Sequence, residues 1–114
     1  MDNQRKIIIA SDAGIAFRSF RDIADSISDW IGAPGMILTE NDLAPEFFDL
    51  RSGLLGELLQ KFINYKLRVA FVVPDPEIYG ERFSELAFEH RSHPMIRFVP
   101  SLEEAKAWLS ASSQ

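Results

Sequence analysis

Short apolar runs alternate with segments of helical periodicity along the whole chain. Four runs of strand type, rich in β-branched residues, occur at 6–10, 35–39, 67–73 and 95–99. After each run, apolar residues recur every three or four positions, which predicts four helices. Strands that alternate with helices favour parallel pairing through right-handed crossovers. The pattern therefore predicts an α/β fold with a four-stranded, mainly parallel sheet covered by helices.

The same periodicity predicts the core and the helix starts. Ser19, with Asp22 three residues later, and Ser101, with Glu104 three residues later, are typical N-cap pairs. A further helix is predicted from Glu77 to about His90. The predicted core faces of the four helices are Phe20, Ile23, Ala24, Ile27, Trp30 and Ile31; Leu54, Leu55, Leu58, Leu59, Phe62 and Ile63; Phe83, Leu86, Ala87 and His90; and Leu102, Ala105, Trp108 and Leu109.

Length and composition favour one domain spanning residues 1–114, without internal repeat or linker. The absence of cysteine excludes disulfides and thiolate chemistry, which fits a reducing compartment. The first apolar run is too short for a secretory signal, and no run is long enough to span a bilayer. These features predict a cytoplasmic protein that is not inserted in a membrane.

The formal net charge is −5, from 17 acidic and 12 basic residues. Proteins that bind nucleic acid need basic surface, because neutralising phosphates supplies most of their affinity. The basic residues here are scattered, and the densest group is Lys61, Lys66 and Arg68. Nucleic acid is therefore not expected as a partner.

An acidic segment follows the second predicted strand, with carboxylates at Glu40, Asp42, Glu46 and Asp49. In open α/β sheets the carboxyl ends of the strands border the usual ligand crevice. Such carboxylates could bind Mg²⁺ or Ca²⁺ or act as an acid–base pair. The alternative is a solvated loop in which Asp42 and Glu46 cap or start the next turn and Asp49 pairs with Arg51. Because the spacing matches no metal motif, neither a metal nor a cofactor is expected.

Ser52, Gly53 and Gly56 stand at the start of the leucine-rich helix. The exposed N–H groups of a helix start attract anions, and glycines let a ligand backbone approach closely. The alternative is that Ser52 is the N-cap of this helix and the glycines serve packing.

Other features give catalysis no positive support. His90 and His93 are the only histidines, and proximity to a helix end explains them without a metal. The chain has no nucleophile elbow and no glycine-rich phosphate loop. Phe47 and Phe48 are adjacent, so one of them is a candidate contact residue or lies under the loop.

The stretch ENDLAPEFFDLRSGLLGELLQKF, within residues 38–73, resembles the DUF4180 family of small bacterial domains of unknown function. Weaker similarity extends over residues 6–109. That family in turn is similar to STAS domains of the anti-sigma-factor-antagonist type, through an apolar strand followed by Asp49, Ser52 and Gly53 and then a helix. The resemblance implies a STAS-like fold in which Ser52 is the phosphorylatable residue that controls partner binding. Related chains begin with an extra strand, so it also implies an exposed sheet edge here.

Two functions from different classes follow from these observations. The first is a non-catalytic, regulatory protein-interaction domain whose working surface spans residues 40–57, with Ser52 as the switch. The second is a small-molecule or anion-binding domain, conceivably an enzyme, that uses the acidic groups and Arg51 in the same crevice. A homodimer formed through the free sheet edge or the leucine-rich helix is a third possibility.

Overall fold

The computed structural model describes residues 6–111, which form a four-stranded sheet with helices on both faces. All neighbouring strands pair in parallel, in the spatial order β1-β2-β3-β4. This arrangement confirms the predicted α/β class and parallel sheet. The strands are β1 (Ile8–Ile9), β2 (Met36–Thr39), β3 (Val69–Val72) and β4 (Ile96–Val99).

Four α-helices alternate with the strands, as the periodicity predicted. They are α1 (Phe20–Ser26), α2 (Leu54–Asn64), α3 (Glu81–Glu89) and α4 (Leu102–Ala111). Short 3₁₀ helices occupy Ile27–Trp30, Glu40–Asp42, Pro45–Phe48, Leu50–Ser52 and Pro76–Tyr79. Within residues 6–111, none of these helices has the length and apolar character needed to cross a membrane.

The consecutive strand order determines which helix covers which face. Each new strand is added on the same side, so right-handed crossovers place α1, α2 and α3 on one face. Alternate strand residues such as Met36, Leu38 and Phe71 point into the large core beneath them. The helix α4 covers the other face alone, where it forms a small core of Ile37, Ala70, Ala105 and Leu109.

Several side chains predicted in the core lie at the surface. Phe20 and Leu102 are the first residues of their helices and extend past the core, with 53% and 39% of their surface exposed. Ile31 is 57% exposed because α1 gives way to 3₁₀ turns at Ile27, which changes the periodicity. Ala24 and Ile63 are also exposed.

The helix predicted from Glu77 is interrupted at Gly80. Its backbone has a φ of 102°, a conformation that L side chains rarely adopt and that ends the 3₁₀ helix Pro76–Tyr79. The α-helix then starts at Glu81. Because of this break, Tyr79 is held outside α3, next to the segment that follows β2.

The amino-terminal sheet edge is short. Ile8 and Ala10 donate to carbonyls of the β2 segment, so the backbone groups of Ile9 point away from the sheet. The Ile9 carbonyl accepts from the Ala13 amide at 3.1 Å. Because β1 has only two residues and the Ile9 carbonyl is already hydrogen-bonded, this edge offers few backbone groups to a strand from another chain. Homodimer formation stays a prediction.

Packing of α4 onto the sheet is tight where the chain enters β2. A Cβ added to the buried Gly35 would lie 2.5 Å from Cδ2 of Leu109. Leu109 is itself fully buried, so its side chain has little space to move. Arg68 fixes the end of α4, since its guanidinium donates to the carbonyls of Trp108 and Leu109 at 3.3 and 3.4 Å.

We therefore expect Gly35→Ala to lower the free energy of unfolding by about 1–3 kcal/mol through overpacking. The matched control is Gly56→Ala on α2, where an added Cβ meets no atom within 4 Å. That variant should gain roughly 0.5–1 kcal/mol from the lower backbone entropy of the unfolded state. Denaturant unfolding measures both variants, and a Gly35→Ala protein as stable as wild type would contradict the packing.

Candidate functional site

The carboxyl ends of β2 and β3 meet at one edge of the sheet, because these strands are parallel neighbours. The loop after β2 and the 3₁₀ segment after β3 form an open cleft there. One part has a volume of about 650 Å³ and an adjoining part about 370 Å³. Pro45, Phe48 and Tyr79 line both parts. We call this site the aromatic cleft; its other lining residues are Glu40, Asn41, Leu43, Asp49, Leu50, Arg51, Arg82 and Phe83.

Three aromatic rings form the floor of the aromatic cleft. Phe48 stacks on Tyr79 with 3.9 Å between ring centroids and 13° between planes. Phe83 meets both rings edge-on, at 5.2 and 5.4 Å, and is buried beneath them. The adjacent Phe47 is fully buried in the core. The paired phenylalanines therefore divide their roles, with Phe47 in the core and Phe48 at the surface of the cleft.

Glu40 lies at one end of the cleft, where its carboxylate accepts a hydrogen bond from the Tyr79 hydroxyl. Burial of Tyr79, together with the hydrogen bond and negative charge of Glu40, raises the pKa of the phenol to about 12. Each of these effects favours the neutral phenol over the phenolate. At neutral pH Tyr79 is therefore protonated and donates to Glu40.

Asp42 turns away from the cleft and into the protein. One of its oxygens accepts from the Thr39 amide at 2.8 Å and from the Thr39 hydroxyl at 3.1 Å. Only 7% of Asp42 is exposed. Among residues 6–111 it is the only polar or charged residue that is buried. Its position matches the capping role that was the alternative to ligand binding.

Ser52 and Glu46 hold the end of the loop together through the backbone. The Ser52 hydroxyl donates to the Glu46 carbonyl at 2.9 Å and accepts from the Leu54 amide at 3.2 Å. The Glu46 carboxylate itself points to solvent. The N-cap of α2 is Gly53, whose φ of 80° favours glycine, so Ser52 supports the helix start from one position earlier.

Asp49 and Arg51 form an ion pair on the rim of the aromatic cleft, with 3.2 Å between Nε and Oδ1. Hydrogen bonds from the Arg51 side chain and backbone lower the pKa of Asp49. Both side chains are well exposed, at 50% and 89%, and exposed pairs contribute little to stability. The pair therefore sets the polarity of the rim more than it holds the fold.

The structure brings together only part of the predicted site. Glu40, Asp49 and Arg51 line the aromatic cleft, whereas Asp42, Ser52 and the backbone of Glu46 stabilise the loop. Gly53 begins α2, and Gly56 lies on the exposed side of that helix, with open space above it. The ligand- or partner-binding role of these residues stays a prediction.

The sequence did not indicate that Tyr79, Arg82 and Phe83 complete the cleft, although Phe83 was predicted in the core and is buried there. Their signal was the parallel sheet itself, because the segment after β3 must reach the same edge as the loop after β2. Tyr79 was hidden inside a predicted helix that Gly80 in fact interrupts.

Metal binding finds no support in the described part of the chain. Among residues 6–111 no three histidine, aspartate or glutamate side chains converge as ligands. His93 accepts from the amides of Met95 and Ile96 at 3.0 and 3.1 Å, so its ring nitrogen stabilises the turn before β4. The ring of His90 lies 5.1 Å from that of His93, with its Nδ1 2.8 Å from the Leu86 carbonyl.

A family model described as "Domain of unknown function (DUF4180)" matches residues 2–109. Comparison with curated proteins and with solved structures gives no match. The relationship to STAS domains thus stays an expectation that rests on the sequence.

The Tyr79–Glu40 pair predicts a pH dependence. The folded pKa of about 12 lies above the ordinary 10.0, so stability from the neutral phenol is complete below pH 10 and disappears as pH rises towards 12. Tyr65 and Tyr79 are the two tyrosines, so Tyr65→Phe leaves Tyr79 as the sole phenol to titrate by absorbance. Adding Glu40→Gln should lower the Tyr79 pKa, while burial keeps it above 10. A Tyr79 that titrates like free tyrosine would contradict the pairing.

Proposed function

Since the chain belongs to the DUF4180 family, whose description records no function, we propose its role from the geometry of the aromatic cleft. We infer that the chain is a non-catalytic protein-interaction domain and that the aromatic cleft and its rim bind a segment of a partner protein. Of the predicted working surface of residues 40–57, the proposal keeps the loop 40–53 and adds Tyr79 and Arg82 to it.

One observation carries this proposal: three polar side chains of the loop, those of Glu40, Asp42 and Ser52, are already hydrogen-bonded. Glu40 is engaged by Tyr79, Asp42 by Thr39, and the Ser52 hydroxyl by two backbone groups. A general base or nucleophile must be free to reach the proton or atom that it attacks. The stacked pair Phe48–Tyr79 stays partly exposed, and partly exposed aromatic surface is typical of interaction hot spots.

The rim indicates the chemistry of the partner segment. An apolar or aromatic side chain would pack on Phe48 and Tyr79 in an open cleft that excludes water poorly for a small ligand. Arg82 lines the same cleft and forms no ion pair within the described residues. A carboxylate next to the apolar anchor of the partner would pair with Arg82.

Regulation at Ser52 belongs to this proposal through the resemblance to STAS domains. A phosphoryl group on Ser52 would remove the hydroxyl donor from the Glu46 carbonyl and place a strong negative charge beside Arg51. Both changes would alter the loop that borders the cleft. Partner affinity would then depend on the modification state of Ser52.

A small anion is the second candidate occupant, because Arg51 and Arg82 both line the larger part of the cleft. Its volume of about 650 Å³ lies within the range of ligand sites. However, Glu40 and Asp49 border the same cleft and would repel an anion. The partner segment is therefore the candidate that the geometry supports better.

Photo-crosslinking tests the first candidate. A benzophenone amino acid replaces Asn41, which is exposed and lines the cleft. In the control protein it replaces Ile31, which is exposed and does not line the cleft. In cells of the native host, position 41 should give a discrete protein adduct that position 31 does not give. The adduct should weaken when Phe48→Leu is added, because the stacked platform is lost.

A thermal-shift titration with inorganic phosphate and citrate tests the second candidate occupant, a small anion. An anion present at 100 times its dissociation constant would stabilise the fold by about 2.7 kcal/mol, which raises the melting temperature by several degrees. The partner proposal predicts no rise that depends on Arg82. A rise abolished by Arg82→Gln, together with no adduct at position 41, would replace it with anion binding.

A further inference from the structure

The second edge of the sheet, at β4, carries unpaired backbone groups. Val69 and Val73 donate to the carbonyls of Met95 and Val99, so Ile96 and Phe98 direct their backbone groups away from β3. The Ile96 amide donates a hydrogen bond to Nδ1 of His93 at 3.1 Å. The amide and carbonyl of Phe98 have no hydrogen-bond partner in the part of the chain that the structure describes, whereas Ile96 is fully buried.

A groove runs beside this edge, between β4 and α3. Its volume is about 410 Å³, and Phe98 lies at its β4 side while Ser84, Phe88 and Arg91 line its helix side. Phe88 is 63% exposed. The guanidinium carbon of Arg91 lies over one face of its ring, 3.8 Å from the ring centroid. We call this site the β4–α3 groove. It adjoins a second hollow of about 690 Å³ and shares Glu77, Ser84 and Phe88 with it.

The border of the β4–α3 groove is strongly acidic. Four glutamates recur at every fourth position through the 3₁₀ segment and α3, and Asp75 precedes them. Like charges at this spacing repel one another along a helix. None of these carboxylates has an ion pair within residues 6–111, and Arg91 is the one cation lining the groove. The glutamates are Glu77, Glu81, Glu85 and Glu89.

We propose that the β4–α3 groove binds an extended, basic segment of a partner protein, which adds to the sheet as a fifth strand beside β4. The unpaired amide and carbonyl of Phe98 supply its main-chain hydrogen bonds, and Phe88 and Phe98 receive its apolar side chains. Its lysine or arginine residues pair with the glutamates of α3. Pro100 has no amide hydrogen and His93 occupies the Ile96 amide, so the pairing is limited to about three residues.

Charge also selects against a second copy of this chain as the occupant. Two β4 edges brought together would place two acidic borders side by side, and like charges in an interface cost affinity. The site is separate from the aromatic cleft, since the two share no lining residue. Failure of one proposal therefore leaves the other intact.

The probe is a synthetic peptide of about six residues, the usual length of a strand. Its odd positions carry lysine and valine and its even positions carry threonine, so the lysine and valine side chains point to the same face of the sheet, towards α3. We expect it to shift the amide resonances of Phe98 and Phe88 in the intact protein and to protect the Phe98 amide from exchange. Phe88→Ala and Glu85→Lys should each weaken binding about fivefold or more, the effect of losing one contact of this kind. Glu57→Lys on α2, which is also exposed to solvent, should change affinity by less than about twofold.

Two methylated versions of the peptide decide whether a strand is added, one methylated at the odd backbone nitrogens and one at the even ones. Only one of the two should lose binding, because only alternate amides of an added strand face β4. A third peptide with glutamate in place of lysine should not bind. The proposal is overturned if the basic peptide fails to bind at roughly millimolar concentration, or binds without shifting the Phe98 amide. It is also overturned if the Phe98 amide shifts with protein concentration alone, since a second copy would then occupy the edge.

Discussion

A buried carboxylate at the end of β2 holds the part of the chain from which the aromatic cleft is built. Asp42 accepts two hydrogen bonds from Thr39, which turns the chain sharply as it leaves the sheet. Its own carbonyl accepts from the Phe17 amide at 2.8 Å, and Ala44 donates to the Phe17 carbonyl at 2.9 Å. Removing a partner from a buried carboxylate costs far more than an exposed pair contributes. The turn thereby fixes Glu40 toward Tyr79 and starts the loop that carries Phe48.

The consecutive strand order creates the two candidate binding surfaces together. Because every crossover helix lies on one face, α3 ends up beside the last strand, and the groove between α3 and β4 stays open at the sheet edge. The same order brings the carboxyl ends of β2 and β3 together, where their loops form the aromatic cleft. One surface is aromatic with a mixed-charge rim, and the other is acidic with an open strand edge. They suit partners of different chemistry.

The sequence predicted what depends on local pattern and missed what depends on tertiary geometry. Strand and helix types followed from apolar periodicity, and the caps at Ser19 and Ser101 followed from residue type. The exposure of Phe20 and Ile31 did not follow, because it depends on where a helix ends relative to the sheet. The pairing of Glu40 with Tyr79 spans 39 positions, so no local pattern contains it. The acidic loop was found, but its aromatic floor required the sheet order.

Amide hydrogen exchange at the loop tests most directly whether the aromatic cleft is a preformed surface. In wild type we expect slow exchange at Thr39, Ser52 and Leu54, whose amides donate to Asp42, to the Asp49 carbonyl and to the Ser52 hydroxyl. Asp42→Ala should speed exchange through this loop while the amides of β3 stay protected. Exchange at these three wild-type amides as fast as in an unstructured peptide would contradict a preformed cleft.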